Sequence, residues 1–125
     1  MIHLELPLPV SKNARHMPIK CGKWFKEVRT SKARKAEEAM VAIMWKQIGG
    51  RPSKPCFTKP CRLTYFLTFP DRRVRDRQNY EESLCDCLER AGIVSNDSLL
   101  VHSVGEVSPE VKKPGSCTVT IEELP

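Results

Sequence analysis

Residues 62–69, RLTYFLTF, constrain this chain more than any other stretch. The run is dense in β-formers and shorter than an ordinary helix, and Leu63, Tyr65 and Leu67 alternate with Thr64, Phe66 and Thr68. That pattern suits a central strand covered on both faces, with Tyr65, Phe66 and Phe69 in the core. A central strand needs neighbours, and three segments offer themselves. Residues 2–6 alternate Ile2, Leu4 and Leu6 with His3 and Glu5 until Pro7 and Pro9 end the run, and residues 98–107 and 117–122 read as closing strands around the turn SPEVKKPGS. Helices must cover the sheet. Ala33, Ala36, Met40, Ile43, Met44 and Ile48 recur at mostly three- and four-residue steps over residues 31–48, which end at Gly49 and Gly50. Tyr80, Leu84, Cys87, Leu88 and Ala91 do the same over residues 79–91, with Gly92 as the stop. The expected architecture is α+β: a small mixed β-sheet with two main helices packed on one face. At 125 residues one domain is expected, with RPSKPCFTKP as an internal connector.

The charge is unevenly spread. The net charge is +6, and residues 11–35 hold Lys12, Arg15, Lys20, Lys23, Lys26, Arg29, Lys32, Arg34 and Lys35 against the single acid Glu27. Such a segment gathers a polyanion and speeds its capture. Residues 10–29 lack clear periodicity, but Gly22 separates two short segments that can pair as a hairpin, so a DNA-facing ribbon is expected, with a solvated loop as the alternative. Trp24 and Phe25 within it either stack on unpaired bases or anchor the ribbon on the core, and the pattern leaves both open.

Cys21, Cys56, Cys61, Cys85, Cys87 and Cys117 include no CxxC pair, and the N-terminus MIHLELPLPV lacks the features of a secretory signal, so reduced thiols and a cytoplasmic location are expected. Cys85 and Cys87, two apart on a helix, point to different sides and do not share a metal. His3, His16 and His102 form no ligand spacing. No apolar run approaches the length of a membrane span.

Residues 70–97, PDRRVRDRQNYEESLCDCLERAGIVSND, carry the chemistry. Asp71 and Asp76 sit among Arg72, Arg73, Arg75 and Arg77 at a strand end, and Asp97 lies just past a helix stop. Carboxylates there can hold Mg2+ while arginines hold the phosphate that the ion polarises; a salt-bridged surface turn is the plainer reading. Pro70, Asp71, Arg72, Arg73, Asp76, Asn79, Asp86, Leu88, Ala91, Gly92 and Asp97 match, without a gap, the pattern of the RusA family of Holliday junction resolvases. LPLPVSKNAR, residues 6–15, is similar to that family's opening. The resemblance implies a homodimeric, magnesium-dependent endonuclease that cuts four-way DNA junctions by symmetric nicks, with Mn2+ as an alternative ion. It assigns Asp76 and Asp97 as metal ligands. It also turns Lys12, Arg15, Lys20, Lys23, Lys32, Arg34, Lys35, Arg72, Arg73 and Arg75 toward DNA.

Two positions depart from the family pattern. Its second aspartate falls on Gln78 and its lysine on Glu82, and the acid beside the distal ligand becomes Asn96. A glutamine oxygen brings no charge to a cation. Glu82, one helical turn from Gln78, is assigned the place of the third acid, in both metal binding and catalysis, with Gln78 beside it. The competing role for Glu82 is a capping box with Asn79. Two functions follow: a junction endonuclease, or a junction-binding chain of the same fold with weakened or lost cleavage. An RNA-binding module is disfavoured, since the Lys/Arg-Gly-Phe type signature is absent.

Overall fold

The computed structural model describes residues 1–125. Its main sheet has four strands, β1 (Ile2–Leu6), β4 (Cys61–Thr68), β5 (Leu100–Val107) and β6 (Ser116–Glu123), in the order β1-β6-β4-β5. The sheet is mixed: β4 runs antiparallel to β6, with Tyr65 opposite Val119, and parallel to β5, with Tyr65 opposite Gly105. β4 is thus an internal strand. Leu63, Tyr65 and Leu67 are buried together with Leu4, Leu6, Cys117, Val119 and Ile121. The opposite face stays open, and Phe66, expected in the core, is 38% exposed. The alternation within β4 therefore marks a one-sided strand, as in antiparallel sheets with a single covered face.

The covering layer is α2 (Ser31–Ile48) and α3 (Gln78–Arg90). Thr30 caps α2 by accepting from the Ala33 N–H at 3.1 Å, and Gly49, at φ 94°, turns the chain out of the helix. Met40, Val41 and Met44 face the sheet from α2, and Tyr80, Leu84, Cys87 and Leu88 from α3. Fully burying Leu84 or Leu88 contributes about 1.5–3 kcal/mol each. The Trp45 indole N–H donates to the Ala91 carbonyl at 2.8 Å, joining the two helix ends. The Pro-rich connector lies along residues 92–95: Phe57 N–H donates to Ile93 O, and Ser95 N–H to Phe57 O.

The basic stretch has more structure than its sequence suggests. Ser11 caps a one-turn helix, α1 (Lys12–Arg15), which leads into β2 (His16–Cys21) and β3 (Trp24–Arg29). These pair as a separate two-stranded ribbon with Gly22 in its turn at φ 62°. No helix is long and apolar enough to cross a membrane.

Candidate active site and nucleic-acid interface

The loop from Phe69 to Gln78 is built on Asp71. Its Oδ1 accepts from Arg75 Nη1 at 2.6 Å and from the Arg73 N–H at 3.0 Å. These bonds, the Arg75 one first, hold its pKa down at about 2. Arg75 also lies over the Phe69 ring, 5.1 Å from its centroid, and its side chain is only 13% exposed. Arg75, expected at the DNA face, thus serves inside the loop, while Arg72 and Arg73 extend into solvent. Asp76 closes the loop: one of its carboxylate oxygens accepts the Gln78 N–H at 3.0 Å, and its carbonyl accepts that of Asn79 at 3.1 Å. The Asp76 side chain thus holds the first backbone N–H of α3, which starts at Gln78 after Arg77 with no side-chain cap, so the alternative Asn79–Glu82 box does not form. The reason is local. An aspartate bonds readily to the backbone two residues on, and here that residue begins the helix.

Asp97 opens a 3-10 turn, Asp97–Leu99, whose N-terminus is capped by Asn96 Oδ1 accepting from Ser98 N–H at 2.9 Å. Glu89 receives the Asp97 N–H at 2.9 Å. The amide that replaces the family's acid thus has a structural partner, and Asp97 is exposed.

A third acid carries no sequence signal. Glu81 accepts from the Ser103 hydroxyl on β5, and Arg77 Nη1 donates to the Tyr65 hydroxyl at 2.9 Å. Burial pushes the Tyr65 phenol up to about 12, opposed by the Arg77 bond and reinforced by Glu81. Gly105 makes room for this group: a Cβ there would lie 2.3 Å from Tyr65 Cζ and 2.6 Å from Arg77 Nη1. A glycine inside a strand was the only hint of this close approach. Burial first, then the charges of Glu81, Asp97 and Asp86, pushes the Cys85 thiol up to about 12.

Glu82 turns elsewhere. It accepts from Arg15 Nη1 at 3.0 Å, Asp86 takes Arg15 Nη2 at 2.6 Å, and Glu37 Oε2 lies 3.0 Å from Arg15 Nε in an ion-pair contact without hydrogen-bond alignment. Arg29 reaches Glu37 at 3.3 Å, and Ser83 donates to Glu37 at 2.7 Å. Burial works against the Arg15 charge, but Glu37, Asp86 and Glu82 outweigh it and raise its pKa. Arg15, expected on DNA, is 6% exposed and faces acids with all its nitrogens. The cause is Glu37: a buried carboxylate demands a cation, and the fold brings Arg15 to 3.0 Å and Arg29 to 3.3 Å from it.

Lys12, Lys20, Lys23, Lys32, Arg34 and Arg72 are all exposed, as are Lys35 and Arg73. The first turn of α2 contains Lys32 and Arg34 and no acid. Cations at a helix N-terminus oppose the helix dipole, so these charges do not serve α2 itself. No three His, Cys, Asp or Glu side chains converge as metal ligands. Of the three acids assigned to the ion, Glu82 is held by Arg15, while Asp76 and Asp97 are exposed and pair with no cation, so these two are the acids that could hold one.

No family model matches the chain. A relative does: the crossover junction endodeoxyribonuclease RusA of Aquifex aeolicus (strain VF5) is 32% identical over 102 residues, covering 80% of this chain and 75% of the relative. Identity of that extent, across the loop, helix and turn that place Asp76 and Asp97, shows that the chain belongs to the RusA family of crossover junction endodeoxyribonucleases.

Proposed function

We propose that this chain binds four-way DNA junctions and nicks them as a structure-selective endodeoxyribonuclease, more weakly than a relative carrying the family's full acidic set. The observation that supports this reading is the placement of Asp76 and Asp97. Both are exposed and both are fixed by backbone hydrogen bonds, in a chain related to a junction endonuclease. Lys32, Arg34, Lys35, Arg72 and Arg73 supply phosphate contacts, which give affinity and little sequence preference. Junction selectivity then rests on shape and deformability. The divalent cation in this proposal is Mg2+ or Mn2+, with Asp76 and Asp97 as its acids. Two chains related by a twofold axis would present equivalent sites to equivalent strands.

A second reading, binding without cleavage, is favoured by the engagement of Glu82 with Arg15 and the lack of three converging ligands. One experiment separates the two. A synthetic four-way junction is incubated with the protein, with and without Mg2+, and both gel shift and strand nicking are read. Metal-dependent nicking lost in Asp76→Asn and Asp97→Asn supports the endonuclease. Tight binding without nicking supports the second reading, and nicking retained in both variants moves the active site elsewhere. Sedimentation at micromolar concentration tests the pairing, and a monomer both free and on DNA would oppose it.

A further inference from the structure

The ribbon β2–β3 forms a sheet of its own, and its end carries the two most exposed aromatic rings of the chain, Trp24 at 78% and Phe25 at 75%. An isolated two-stranded hairpin is marginally stable in water. This one is held at its base, where Arg15 and Arg29 meet Glu37 and where Thr30 bonds back to Arg15 O and Ala14 O. The rings therefore take no part in holding the ribbon, and the alternative of a core anchor is closed.

Trp24 and Phe25 are consecutive in a strand, so they lie on opposite faces of the ribbon. The register places Lys20 directly opposite Phe25, and Lys26, two residues from Trp24, shares Trp24's face. Gly22, at a positive φ, allows the two-residue turn that sets Lys23 at the very end. Each face thus offers one aromatic ring and one lysine, with a third lysine between them. A flat apolar ring beside a cation suits a nucleobase and its phosphate. The same charges disfavour a second copy of this tip as the occupant, because Lys20, Lys23 and Lys26 would confront their equivalents.

We propose that the ribbon tip is a two-sided stacking element that takes unstacked bases at the branch point, one on Trp24 and one on Phe25, with Lys20, Lys23 and Lys26 on the adjoining phosphates. The proposal rests on the junction-binding reading above. Continuous duplex keeps its bases stacked and closed to both rings, whereas a branch point exposes them, so the tip would favour junctions over duplex without reading sequence.

The test uses the full chain with a synthetic four-way junction carrying 2-aminopurine beside the branch point, and a linear duplex of the same sequence. Wild-type protein should change the 2-aminopurine fluorescence of the junction and not that of the duplex. Trp24→Ala and Phe25→Ala should each weaken junction binding roughly tenfold while leaving duplex binding unchanged, and should blunt the fluorescence change. Trp24→Phe should retain most of both. Unaltered junction affinity in both alanine variants would overturn the proposal, as would equal losses on junction and duplex. Loss of self-association in Trp24→Ala by sedimentation, with DNA binding intact, would also overturn it by making the rings a contact between copies. Wild-type protein that shifts no junction in the gel overturns the junction-binding reading, and the proposal falls with it. A bound junction with silent fluorescence sinks the stacking proposal alone.

Discussion

The base and the tip of the basic ribbon come from one run of positive charge, yet they obey different physics. At the base, Arg15 is buried against Glu37, Glu82 and Asp86, and Arg29 shares Glu37. At the tip, Lys20, Lys23 and Lys26 stand in water with two bare rings. A positive charge near an acid already buried is drawn into structure, and one without such an acid is left for a ligand. The base also ties the ribbon to α3, the helix that opens beside Asp76, so the basic ribbon and the acidic loop share one support.

The largest expected effect breaks the base. Arg15→Met should cost about 3–5 kcal/mol of stability, because Glu37 is left buried with too little opposing charge. Adding Glu37→Gln should recover part of that loss. Urea unfolding reads both, and an Arg15→Met midpoint equal to wild type would refute the clamp. Lys23→Ala at the tip should stay within about 0.5 kcal/mol.

Crowding the acidic end comes next. Gly105→Ala places a methyl group against Tyr65 and Arg77 and should cost about 1–3 kcal/mol, as overpacking does. A variant as stable as wild type would mean that the Tyr65–Arg77 pair moves freely.

A smaller effect sharpens the division between structure and binding. Lys32→Glu should stabilise α2 by about 0.3–1 kcal/mol through the helix dipole while weakening DNA binding. Lys32, Arg34 and Lys35 replaced together by Ala should flatten the dependence of junction affinity on salt, since each lost phosphate contact releases fewer counterions. A salt slope identical to wild type would take the first turn of α2 off the DNA face.

The smallest effect concerns pH. Asp71 has its folded pKa lowered from 3.8 to about 2, so its contribution to the loop is fully present above pH 3.8. It is lost as pH falls through about 2, because the protonated acid no longer holds Arg75 as an ion pair. An NMR titration of the Asp71 carboxyl should show that low midpoint, and a value near 3.8 would mean that the Arg75 and Arg73 bonds are absent in solution.

Much was legible in the sequence by itself. Periodicity placed the strands and both long helices, since hydrophobic spacing reports directly which side of an element meets the core. The run from Pro70 to Asp97 identified the family, because its spacing survives in the chain order. The identity of each partner was not legible. Seven cations from Lys12 to Lys32 look alike as letters, yet Arg15 and Arg29 are captured by Glu37, a residue on another element, whereas Lys12, Lys20, Lys23, Lys26 and Lys32 are not. The same holds for the acids: helical spacing points Glu82 at the ion, but Arg15 claims it, and Glu81 turns to Ser103 on β5. Sequence puts Phe66 in the core and the fold leaves it 38% exposed, because alternation does not say whether one or both faces of a sheet are covered. Local pattern fixes which elements form and which side is apolar. Only packing decides which charges lie close enough to pair, because ion pairing depends on distance and burial between segments far apart in the chain.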